Sequence, residues 1–115
     1  MPNEHTTDRR RHPRVTAVRA CKVRPARSVR YLPAQTADVS GGGALVRLDS
    51  EHELKPGEAI EVAVAWNGEA VLPDEAVQRA IIRRVYTTGD GQQAVGVEFE
   101  MAGELPEAVA PRLAA

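Results

Sequence analysis

Ile60, Val62, Val64 and Trp66 alternate with Glu61, Ala63 and Ala65, the clearest two-residue period in the chain. That period is the mark of a strand with one face buried. Val95, Val97 and Phe99 repeat it near the C-terminus, and residues 77–87 read as a longer strand, preceded by the interruption at Pro73. Earlier in the chain the pattern is mixed. Residues 15–24 predict a first strand, bulged near Ala20 and ended by Pro25. Residues 29–38 predict a second, in which Pro33 is confined to an edge or a bulge because it cannot donate to a ladder. Residues 44–48 predict a third. Turn signals separate these runs: Ser40 to Gly43, Lys55-Pro56-Gly57, Asn67-Gly68 as a tight turn, and Thr88-Gly89-Asp90-Gly91. Six strands at short intervals without a convincing helix predict an all-β fold, a small six-stranded antiparallel barrel. Residues 105–113 could add a short terminal helix with Pro106 at its start, kept brief by Pro111. The expected organisation is a flexible basic arm over residues 1–14, the barrel over 15–101, and a tail or short helix over 102–115.

Composition narrows this picture. The chain has 115 residues, room for one domain with a modest core. Hydrophobic residues make up 43% of it but aromatics only 3%, so Val, Ala, Ile and Leu must fill most of that core. Such a palette suits pleated, half-buried strands. Trp66 continues the apolar alternation and is expected in the core rather than on a ligand-stacking surface. The single cysteine, Cys21, excludes an internal disulfide framework and a multi-cysteine zinc site. Placed in a strand, it reads as a buried, inert thiol. No apolar core follows Met1 and no apolar run is long enough to cross a bilayer, which predicts a soluble, cytoplasmic protein.

The net charge of -1 conceals an asymmetry. Residues 1–31 carry nine Arg or Lys against two acids, +7, and the remainder carries six against fourteen, -8. A split of this kind points to a polyanionic partner for the basic end. The alternative is a solvated basic strand whose charges meet the acidic remainder. Four of the nine cations, Arg9, Arg10, Arg11 and Arg14, fall within six residues, where Pro13 disfavours helix at His12 and leaves the segment extended or turned.

Arginine is the informative choice in that arm. Its guanidinium grips phosphate in a bidentate fork and lies against flat π systems. It also matches the O6/N7 edge of guanine. The turn after the second predicted strand, Asp38-Val39-Ser40-Gly41-Gly42-Gly43, supplies complementary groups. A carboxylate there can accept from guanine N–H groups, a hydroxyl can donate or accept, and glycines allow close backbone approach. Taken alone, Asp-x-Ser with glycines is also a common turn composition, because Asp and Ser bond their own backbone.

The two segments together resemble the PilZ domain, a bacterial receptor for cyclic di-GMP. Arg10 and Arg14 match its Arg-x-x-x-Arg motif, and Asp38, Ser40 and Gly43 match its Asp/Asn-x-Ser-x-x-Gly motif. Gly96-Val97-Glu98-Phe99 resembles the last strand of its barrel. The resemblance implies that the arm's arginines grip phosphates and stack on guanines while Asp38 and Ser40 read a base. It also implies that Arg9, directly before the first motif, accompanies binding of an intercalated ligand dimer. Arg11 would add a phosphate contact or remain solvent-exposed. The implied protein is a non-catalytic cyclic di-GMP receptor without cofactor or metal, signalling to a separate effector protein.

Enzyme readings find little. His5, His12 and His52 lack metal-ligand spacing, and Gly41-Gly42-Gly43 is no P-loop because no Gly-Lys-Ser/Thr follows. Two alternatives from other classes remain. One is a nucleic-acid module that sets the basic segment against phosphates, with steep salt dependence and little need for Asp38. The other is a PilZ-like adaptor that binds only protein.

Overall fold

The computed structural model describes residues 14–49, 53–69, 71–87, 91–103 and 105–106. The expectations for Arg9, Arg10 and Arg11, and for a helix beyond Pro106, lie outside the described residues. Among the described residues seven strands form: β1 Val15–Thr16, β2 Ala20–Pro25, β3 Leu32–Ser40, β4 Gly43–Leu48, β5 Ala59–Val64, β6 Val77–Thr87 and β7 Gln93–Phe99. All pairings are antiparallel, in the order β1-β3-β2-β5-β6-β7-β4. A further β3–β4 ladder joins the ends. The result is a closed six-stranded barrel with β1 as an extra strand. Closure leaves no open edge among the six.

The predicted strands from residue 44 onward form nearly where the alternation places them. The interior is filled mainly by β-branched and small residues, including Val23, Val39, Val46, Val62, Ile82 and Val95, with Leu54 and Phe99 as larger members. Trp66 is half-buried and packs against this core from just beyond β5, not within it.

Three expectations change. The single first strand is two. After Thr16 the chain leaves β3, and the break is stitched by Thr36: its Oγ1 accepts from Arg19 N at 2.8 Å and donates to Ala17 O at 2.7 Å. Thr36 N then donates to Arg19 O at 2.9 Å. The bulge thus lies over residues 17–19 rather than at Ala20. The second strand starts at Leu32, and Val29 is 94% exposed in the preceding loop. Asn67-Gly68 does turn the chain, with Gly68 at φ 77° and its N–H donating to Ala65 O at 3.1 Å. It makes no two-residue hairpin, however, because a loop with a 3-10 turn at Asp74–Ala76 intervenes before β6.

Pro33 behaves as a strand proline must. It pairs with Lys22 on β2, but the β4 ladder begins one residue later, at Ala34 with Leu48. On that side no ladder bond is demanded of its nitrogen.

Candidate functional site

Two register shifts decide what the outer face of the barrel displays. Thr36 and Val39 both point into the core, yet they lie three positions apart, an odd spacing that simple alternation cannot satisfy. The β3–β4 ladder resolves this with an irregularity between Thr36 and Asp38. After it, Asp38 and Ser40 face outward while Val39 faces in. On β6 the ladder to β7 slips between Ile82 and Arg84. Ile82 is buried, Val85 packs against the core, and both Arg83 and Arg84 are exposed. Such bulges re-aim side chains next to functional surfaces.

Ser40 pairs with Gly43, so Gly41 and Gly42 are the connection between β3 and β4. The Ser40 hydroxyl accepts from Gly42 N and Gly43 N, each at 3.1 Å, and donates to Gly43 O at a long 3.4 Å. Its acceptor positions are therefore spent on the turn, and its weakly used proton is what it has to offer a ligand. Gly43 has a different reason to be glycine. A Cβ there would collide with the carbonyl oxygen of Val97 on β7, so the residue permits close approach of two strands. Left-handed backbone occurs instead at Gly57, Gly68 and Gly91.

β1 fixes the place where the basic arm meets the barrel. Val15 pairs with Val39 and Thr16 with Asp38, so the ladder runs toward Arg14 beside Ser40. Arg14, Asp38, Ser40 and Gly43 accordingly line one open groove of about 400 Å³. The structure brings these four together, while Arg9 and Arg10 lie outside the described residues. The groove's far wall is Arg83, Arg84 and Tyr86 of β6, and its floor includes Leu45 and Gly96. Arg83 Nε donates to Glu98 Oε1 at 2.7 Å. Arg84 and Arg14 make no ion pair with a described residue.

Sequence reasoning did not single out this far wall. Its one signal is the Arg83-Arg84 doublet, which breaks the alternation of an otherwise regular strand and so marks a bulge.

Much of the remaining basic segment is engaged elsewhere. Arg24 reaches Glu61 Oε1 through Nε and Nη2, both at 2.9 Å, and Arg19 Nε donates to Trp66 O at 3.0 Å. Arg27 stands 3.7 Å from Glu58. Tyr31 OH also donates to Glu61, at 3.0 Å, with Lys22 Nζ 5.5 Å from its ring centroid. These contacts fit the alternative in which the basic strand meets the acidic remainder. Among the described residues no group of His, Cys, Asp and Glu could hold a metal ion. No described helix is long and apolar enough to cross a membrane.

Three solved structures share this fold. The inhibitor of motility MotI/DgrA of Bacillus subtilis superposes with a TM-score of 0.63 at 18% identity, over 82% of this chain and 44% of that one. This chain thus spans less than half of MotI. The PilZ domain of CeSA from a cellulose-synthesizing bacterium gives 0.56 at 21% identity, covering 79% and 83%. The PilZ domain of YcgR from Escherichia coli, solved with c-di-GMP, gives 0.56 at 20% identity, covering 80% and 78%. Identities this low speak to the fold alone. No curated protein matches the sequence. The sequence model of the PilZ domain, however, matches residues 8–109, nearly the whole chain, and the chain belongs to the PilZ domain family.

Proposed function

We propose that this PilZ domain is a non-catalytic receptor for cyclic di-GMP and takes the dinucleotide into the groove beside the β3–β4 hairpin. One observation carries the reading: Arg14, more than twenty residues before them in sequence, lines the same groove as Asp38 and Ser40 of β3. Each offers what the ligand needs. Arg14 meets phosphate or lies against a base, Asp38 accepts from guanine N–H groups, and Ser40 redirects its weakly held proton.

Arg10 lies four residues before Arg14, a reach of about 13 Å in extended chain, enough to bring it and Arg9 across the ligand. The dinucleotide neutralises these like charges and fixes them over the barrel. Fixing each residue costs roughly 1–2 kcal/mol of backbone entropy. Each charge-assisted hydrogen bond returns about 1.5–3 kcal/mol, so several must form together. The surface made by arm, ligand and barrel is then what a separate effector protein reads. Arg9 is assigned to a second ligand molecule in an intercalated pair.

Titration calorimetry with cyclic di-GMP tests this, with GTP and a short DNA duplex as controls. Saturable binding that Asp38→Ala and Arg14→Ala each abolish, with the fold intact by circular dichroism, is the expected result. Unchanged affinity in both variants would overturn the site. Salt-sensitive binding to the duplex alone would replace the receptor by a nucleic-acid module, and no heat with either would leave a protein-only adaptor.

A further inference from the structure

The groove has two ends, and the proposed receptor residues occupy only one. Across the outer face of the barrel, Asp38 on β3 pairs with Leu45 on β4, Leu45 with Gly96 on β7, and Gly96 with Arg84 on β6. These four positions form a single cross-strand row. Three strand spacings make it about 14 Å long. Its middle is low and apolar: Leu45 is half-buried and Gly96 has no side chain to rise above the sheet. Tyr86 stands two residues beyond Arg84, on the same face of β6, and is 49% exposed. The bulge on β6 doubles the arginines here and gives them different fates. Both line the groove, but Arg83 is held by Glu98 at 2.7 Å, whereas Arg84 makes no ion pair with a described residue.

From this arrangement we infer that Arg84 and Tyr86 form a second base subsite, which takes the guanine farther from Asp38. The inference rests on the cyclic di-GMP reading above and extends it to the opposite wall. A second guanine presents the O6/N7 edge that an arginine fork matches, and a flat face that a tyrosine ring can stack on. Leu45 and Gly96 form the floor that lets a planar ligand lie between the two ends. Adenine places an amino group where guanine has O6, so the Arg84 fork also selects against it.

Four variants and one ligand pair test the subsite, each read by calorimetry with cyclic di-GMP and cyclic di-AMP. Arg84→Ala and Tyr86→Ala each lower cyclic di-GMP affinity roughly ten- to a hundredfold, the loss of one strong polar or stacking contact. Arg84→Ala also narrows the preference for cyclic di-GMP over cyclic di-AMP. Arg84→Lys keeps the charge but not the fork, and loses most of the same affinity. Gly96→Val fills the floor without altering charge. A Cβ at Gly96 meets only the Arg84 Cβ, at an ordinary 3.7 Å, so this variant is expected to fold. Wild-type affinity in Arg84→Ala, Tyr86→Ala and Gly96→Val, in a protein whose binding Asp38→Ala still abolishes, would overturn the second subsite and leave the receptor reading standing. Full affinity in Arg84→Lys would overturn the base-edge role. Absence of binding by the wild-type protein would overturn both.

Discussion

The carbonyl oxygen of Val97 occupies the space into which any side chain on Gly43 would have to grow. Gly43 pairs with Glu98 on β7 and with Ser40 on β3, so it sits at a three-strand junction where the backbones cannot separate independently. The last glycine of the Asp-x-Ser-x-x-Gly motif is thus a packing requirement of the barrel.

Gly43→Ala is therefore expected to destabilise the protein. Overpacking of this kind costs about 1–3 kcal/mol, or about 5–20 °C in melting temperature for a domain of this size. Thermal denaturation followed by circular dichroism reads it directly. An unchanged midpoint would mean that the strands yield and that the glycine serves another purpose. Loss of ligand binding in this variant must be judged against its stability, unlike loss in Asp38→Ala.

Thr36 offers a second test of how the site is held. It is 1% exposed, and its hydroxyl satisfies both Arg19 N and Ala17 O, the two backbone groups freed where β1 separates from β2. Thr36→Val keeps the shape and removes both bonds, leaving buried groups unpaired at about 1–3 kcal/mol each. The variant should lower the urea midpoint accordingly. Because β1 anchors Arg14 beside Ser40, it should also weaken cyclic di-GMP binding. Lower stability with unaltered affinity would show that Arg14 is placed without help from β1.

Glu61 predicts an acid limb in the stability profile. Hydrogen bonds from Arg24 first, and from Tyr31 second, hold its carboxyl below the usual range. A depressed folded pKa stabilises the native state above the unfolded value, about 4.3, and that contribution is lost as pH falls through the folded one. Urea midpoints measured from pH 7 down to pH 3 should fall less steeply in Glu61→Gln than in the wild type. Parallel profiles would show that the cluster is screened by solvent to no effect.

Cys21 behaves as an inert thiol in a strand should. It is 4% exposed, and burial pushes its pKa up to about 12. The thiolate is the reactive form, so at neutral pH a thiol reagent should label Cys21 only as fast as the chain opens. The same shift has an alkaline consequence. Below the unfolded pKa of about 8.5 the buried neutral thiol leaves stability unchanged, and stability falls as pH rises from there toward 12, because only the unfolded chain can release the proton. Rapid labelling of native protein at pH 7 would contradict the burial.

How much of this was legible in the sequence follows from what each residue must do. Strands β5 and β7 were visible because each sets apolar residues at a two-residue period against one core, and β6 as a long run rich in β-branched residues. The N-terminal strands were blurred because β3 serves β1, β2 and β4 at once, and the shift at Asp38 breaks the alternation that would have announced it. Arg14, Asp38 and Ser40 stood out as candidates only in conjunction, since Asp-x-Ser with glycines is by itself a common turn composition and gains weight from the arginines before it. Arg84 and Tyr86 were not, because their position opposite Asp38 exists only through the register of β4, β7 and β6. A cross-strand row spanning residues 38 to 84 leaves no local pattern.

The Arg83–Glu98 pair yields the last prediction. Both side chains are 58% exposed, so the bond itself adds little to stability, and its weight falls on the groove's electrostatics. Glu98 and Arg83 both line the groove, so Glu98 places a negative charge beside the proposed dinucleotide site and Arg83 neutralises it. Glu98→Gln should therefore raise cyclic di-GMP affinity a few-fold, and Arg83→Ala should lower it by a similar factor by leaving Glu98 uncompensated. Both effects should shrink between 20 mM and 500 mM salt, as the screening length drops below the size of the groove. If Arg83→Ala instead cost as much as Arg84→Ala at every salt concentration, Arg83 would touch the ligand directly. The ion pair with Glu98 would then have to open on binding.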